Sequence, residues 1–269
     1  MNGLIGCLEC GGAATTGGFN AHKIIPPALA ALFPVAYLTG LLIQRTRHDK
    51  WSGWRTAFFL IGSSLLIWAL LPPIAGAAYK DPEAHMLQHL LIGMFAPLGL
   101  VLGAPVTLAL RSVPVGVGRR FSRLMRAPVV HTLSHPVAAL ILNVGGMYVL
   151  YLTPLFALSM YSAPLHYLVH VHFLAAGCLF VWAIAGPDPA PRRPGMRTRL
   201  IVLFVGAAAH AILGKMLYIH GLPDFPLYDP AATRAAAKLM YYGGDLAEVL
   251  LAIALFSIWF RRRVRSHGG

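Results

Sequence analysis

The chain has 269 residues, of which 57% are hydrophobic and only 12% charged, and its mean hydropathy is +0.66. That is about half the charge of an average soluble domain, and apolar runs near the roughly 20 residues needed to cross a bilayer recur along it. A large soluble domain is therefore excluded, and an all-α, polytopic membrane helix bundle is predicted.

The formal net charge of +13 comes from 22 Lys and Arg against 9 Asp and Glu. The basic residues fall in short tracts between apolar runs, which signals topology and not the one-faced patch of a nucleic-acid binder. Nucleic acid is thus not an expected partner, whereas membrane lipid is.

Residues 1–23 read as an extracytoplasmic tail rich in Gly and Thr. Leu4-Ile5-Gly6-Cys7 has a faint likeness to a lipoprotein box, but neither a basic region nor an apolar stretch precedes Cys7, so processing is not expected. Cys7 and Cys10 form a single CxxC without a second ligand pair, and three cysteines are too few for a disulfide framework.

Hydropathy then predicts seven spans, at 24–43, 57–79, 84–110, 135–152, 165–185, 200–220 and 236–260. Together they form a membrane domain over 24–260, followed by a basic cytoplasmic tail at 261–269. Arg45, Arg47, Lys50 and Arg55 follow the first span, and Arg111, Arg119, Arg120, Arg123 and Arg126 the third. Arg192, Arg193, Arg197 and Arg199 follow the fifth, and Arg261, Arg262, Arg263 and Arg265 the seventh. The opposite side carries Lys23, Lys80, Arg234 and Lys238 beside Glu9, Asp81, Glu83, Asp224 and Asp229. This alternation predicts the N-terminus outside and the C-terminus inside. Pro72-Pro73, Pro97, Pro105, Gly145-Gly146 and Gly243-Gly244 permit kinks and close helix approach.

Ionisable residues within spans are functional candidates because hydrocarbon penalises them. His85 and His89 lie i,i+4 on one face at the start of the third span, and His166 and His170 repeat that spacing at the start of the fifth, followed by His172. His210 falls near the middle of the sixth span, and Asp245 and Glu248 lie within the seventh. Two HxxxH pairs at matched depth suit a late first-row ion bound by neutral imidazole, copper or zinc. Met86 lies beside the first pair, and Met94, Met147, Met160, Met216 and Met240 are further thioethers. Those facing inward would favour Cu(I), although Met is also ordinary core filler.

The expected ligands are His85, His89, His166 and His170, with His172, His210 and Met86 next, and with Asp245 as an orienting carboxylate. A lone membrane histidine would serve equally well in an interhelical hydrogen bond. Glu248 is a candidate proton relay or a partner for Lys215, which otherwise snorkels or forms a salt bridge. Tyr241-Tyr242 read as interfacial belt residues.

The run His85-Met86-Leu87-Gln88-His89, with Leu90-Leu91, Pro97 and Gly103-Ala104-Pro105 downstream, resembles the CtaG family of multi-span cytochrome c oxidase assembly factors. The stretch from His166 to Trp182, with His170, His172, Phe173, Gly177 and Phe180, is similar to that family's second histidine-bearing helix, and the likeness covers roughly 30–260. Relatives carry Asp-Gln in the last outer loop, where this chain has Asp229-Pro230. The resemblance implies a non-catalytic protein of a bacterial cytoplasmic membrane that delivers copper to a haem-copper oxidase subunit. Other classes make distinct demands. A seven-span zinc hydrolase of the ceramidase type requires an open metal position for water. A haem protein needs axial histidines on two helices, and a scaffold needs no metal at all.

Overall fold

The computed structural model describes residues 21–46, 50–190, 193–221 and 229–267, and among these the regular structure is entirely helical. Cys7 and Cys10, and Asp224 in the last loop, lie outside the described residues. Helix α1 (Ala21–Thr46) is followed by α2 (Gly53–Leu70) and a short α3 (Pro72–Ala77). The predicted 57–79 span is thus too long at its end. Leu71 is extended, as a residue before proline tends to be, and Pro72-Pro73 start a new helix.

The next span runs through α4 (Pro82–Leu90), a π-helical turn at Leu91–Phe95, and α5 (Ala96–Leu102). Asp81 caps its start by accepting from the backbone N–H groups of Glu83 and Ala84, and Pro82 takes the first helical position. It stops well before the predicted residue 110, because Ala104 turns left-handed (φ 54°) and α6 (Pro105–Ser112) leaves in a new direction. The π turn precedes Pro97, which has no N–H for the Gly93 carbonyl one turn back. Gly177 of a neighbouring helix packs directly on that carbonyl, where a Cβ would collide with it.

Two short helices follow, α7 (Val115–Met125) and α8 (Pro128–Leu133). The fourth span comprises α9 (Pro136–Leu140), a second π turn at Ile141–Gly145 and α10 (Gly146–Leu152). It bends by 78° at Thr153-Pro154 into α11 (Leu155–Tyr161). Its straight part rises about 26 Å, slightly short of the ~30 Å hydrocarbon core. Among the described residues six helices are long and apolar enough to cross a membrane, and the count reaches the predicted seven when the bent pair is taken as one span. The last three are α12 (Ala163–Ala185), α13 (Met196–His220) and α14 (Pro230–His267). Gly221 ends α13 at φ +76°, and α14 continues as helix through the basic run expected to be a tail.

The span Pro82–Leu102 is the best-buried of the candidate spans. It packs against α2, α12 and α14, while α13 lies along α14. The outside is apolar, with Leu32 60%, Phe204 75% and Ile253 56% exposed, as a lipid-facing surface requires. Three of the basic tracts meet at the end of the bundle opposite the histidines. There Arg55 and Arg111 flank the Trp51 ring. Buried Asp188 accepts from the Val106 and Thr107 amides that open α6, and Arg193 donates to the Asp188 carbonyl.

Candidate metal centre

His85 and His89 project from one face of α4, and His166 and His170 from one face of α12. The structure brings the two pairs together. Within each pair the ring centres are 4.3 and 4.4 Å apart. Across the helices His85 lies 5.5 Å from His166 and His89 5.3 Å from His170. Four imidazoles on one tetrahedral ion, each with a nitrogen about 2.0–2.1 Å from the metal, would hold their ring centres about 5 Å apart. All four are buried, and Phe156 and Phe173 present their edges to His85 and His89 at 5.1 Å each. As they stand, no group of three or more His, Cys, Asp or Glu among the described residues is closed into metal-holding geometry.

Hydrogen bonds occupy one nitrogen of each of the α4 histidines. His85 Nδ1 lies 3.2 Å from the Ala78 carbonyl. A carbonyl only accepts, so Nδ1 carries the proton and Nε2 keeps its lone pair. His89 Nδ1 lies 2.7 Å from the Tyr151 hydroxyl, which itself donates to Met86 Sδ at 3.6 Å. The Tyr151 contact occupies Nδ1 of His89, and its Nε2 lies on the other side of the ring. Neither Nε2, nor either nitrogen of His170, has a hydrogen-bond partner. Unpartnered buried polar atoms are costly, and three of the four rings in the cluster carry them. At the mouth, Tyr79 packs against His166 with ring centres 5.4 Å apart, and burial raises its phenol above the ordinary value.

The other predicted residues are placed elsewhere. His172 turns away from the four and donates from Nε2 to the Leu142 carbonyl of the second π turn at 3.1 Å, its ring seated over Gly146. It thus makes the interhelical bond of a structural histidine. His210 is 1% exposed and rests on Gly244 of α14. Its Nδ1 is 3.7 Å from Glu248 Oε1, too long for a hydrogen bond, and both of its nitrogens are unpartnered. Met86 is buried beside His89. Among the described residues no hydrogen bond joins Asp245 to an imidazole, so its expected orienting role falls to Ala78 and Tyr151. Lys215 does not reach Glu248; its Nζ lies over the Tyr241 ring at 5.5 Å.

Residues 35–262 match the family of cytochrome c oxidase caa3 assembly factors, Caa3_CtaG. The chain belongs to that family. Both histidine pairs of this caa3 assembly-factor family member lie inside the matched region. Uncharacterized proteins of Mycobacterium bovis and Mycobacterium tuberculosis are each 36% identical over 197 residues, 71% of this chain and 30% of theirs. One from Mycobacterium leprae is 35% identical over 254 residues, 87% of this chain and 38% of its own. The chain therefore spans about a third of the length of these curated relatives. No solved structure matches it.

Sequence reasoning missed Tyr151, the Ala78 carbonyl and Gln88, whose Nε2 donates to the Ala69 carbonyl at 2.8 Å and ties α4 to α2. Gln88 sits inside the family-like HMLQH run, which was its available signal. Tyr151 had none, because a tyrosine near a span end reads as an interfacial residue.

Proposed function

We propose that this caa3 assembly-factor family member binds copper at His85, His89, His166 and His170 and hands it to a haem-copper oxidase subunit in a bacterial cytoplasmic membrane. The reading is carried by one observation: four buried imidazoles from two helices are clustered, and the Nε2 atoms of His85 and His89 and both nitrogens of His170 are unpartnered. Neutral imidazole is a good copper donor, and the hydrogen bonds to Ala78 and Tyr151 occupy Nδ1 of His85 and His89 and leave each Nε2 without a partner.

The positive-inside distribution supports a topology with the N-terminus outside and the C-terminus inside, which puts the histidine end of the bundle on the extracytoplasmic side. Catalysis is not part of this role, and the chain's own residues bind, orient and shield the ion. The crevice beside His89 and His210 has about 20 Å³ of free space, room for an ion or a water and not for a porphyrin, which disfavours a haem site there. The test is elemental analysis of purified protein and of the His85→Ala/His89→Ala double variant. Copper in the first, its loss from the second, and normal insertion of both are expected. Full copper in the double variant, or one tightly held zinc and no copper in the wild type, would overturn the proposal.

A further inference from the structure

Directly beyond the four histidines, α4 and the π turn after it, the second π turn with α10, α12, α13 and α14 enclose a crevice. Met86, Met94, Met147 and Met240 line it together with His89 and His210. The sequence scatters these thioethers over three predicted spans, and the fold brings four of them together. Met86 and Met240 are 4 and 2% exposed, and His210 is 1% exposed with both ring nitrogens unpartnered. The free space of about 20 Å³ holds one water-sized body. Asn143 and Tyr151 also line it, and soft sulfur beside imidazole suits a cuprous ion.

We infer that this crevice is a second cuprous-ion station, reached from the four-histidine centre through His89, which borders both. The inference rests on the proposed copper role. His89 offers one nitrogen toward the histidine centre while its ring forms a wall of the crevice, so an ion can pass from nitrogen to mixed nitrogen and sulfur donors without crossing bare hydrocarbon. A cuprous ion on neutral donors keeps its positive charge, which low-dielectric surroundings penalise. Glu248 Oε1 lies 3.7 Å from His210 Nδ1, and loss of the Glu248 proton on cation binding would supply the counter-charge. Met160 and Met216 do not line the crevice and have no part in the station.

The full chain in detergent is reconstituted with Cu(I) held in a competing chelator, then examined by copper counting and X-ray absorption. Wild type is expected to bind two copper ions, with both nitrogen and sulfur scattering. The near-isosteric Met94→Leu/Met147→Leu/Met240→Leu variant, and separately His210→Gln, should each keep one ion, and the triple variant should lose the sulfur signal. Two variants that differ in packing guard against simple misfolding. One copper with nitrogen scattering alone in wild type, unchanged in both variants, would overturn the station and leave the four-histidine reading intact. Copper unaffected by His85→Ala/His166→Ala but lost from the methionine variant would overturn the four-histidine reading instead. A wild type that binds no copper would overturn both.

Discussion

His85 and His89 each make their one side-chain hydrogen bond through Nδ1, to Ala78 and Tyr151, and leave Nε2 without a partner. Tyr151→Phe removes the hydroxyl that orients His89 without changing the ring's bulk. Such supporting bonds are typically worth 10–100-fold in metal affinity, so copper binding in a chelator competition should weaken by about 10–100-fold while insertion is unchanged. His172→Phe is the contrasting case. Its bond to the Leu142 carbonyl joins α12 to the second π turn, and such interhelical bonds average about 0.6 kcal/mol. A small fall in thermal stability with copper content intact is expected; loss of copper would return His172 to the ligand set. Spacing found His85, His89, His166 and His170 because HxxxH is a local property of one helix. It could not separate His172 from them, since two residues along a helix change the face and only the neighbours decide what that face meets.

A break in regular geometry places the histidine-bearing helices against each other. The π turn before Pro97 leaves the Gly93 carbonyl where Gly177 can meet it, and this close approach sets α12 against the span that begins with α4. Gly177→Ala puts a methyl group into that contact. Overpacking of this kind costs about 1–3 kcal/mol, to be read as a lowered melting temperature in detergent. Because the four imidazoles depend on the same helix pair, weaker copper retention should accompany it; unchanged stability would show that the contact yields freely. Pro97 was legible in the sequence as a kink, but its effect was not, because a missing N–H does not say whether the helix bends, breaks or gains a residue in its turn.

On the scale of the whole molecule, charge and apolar surface are segregated. Arg55, Arg111 and Arg193 gather at the end opposite the histidine centre, and the lateral surface is apolar. With the basic end cytoplasmic, a cysteine introduced by Arg120→Cys in a background lacking the native cysteines should resist a membrane-impermeant maleimide in intact cells, and one introduced by Tyr79→Cys should react. The reverse pattern would invert the topology and place the histidine centre on the cytoplasmic side.

The sequence by itself determined that this is a helical membrane protein and which two helices carry paired histidines, because hydropathy and i,i+4 spacing are properties of contiguous chain. It overran the ends of the second and third spans, where Pro72-Pro73 and the left-handed Ala104 break helices within apolar stretches. Only the tertiary structure decided that the two pairs come together, that Tyr151 and Ala78 hold the Nδ1 atoms of His89 and His85, and that methionines distant in the chain share one crevice with His210. Those outcomes depend on which helices become neighbours and on their rotation about their own axes. Packing fixes both, and in a chain apolar on nearly every face no single helix carries a pattern strong enough to announce them.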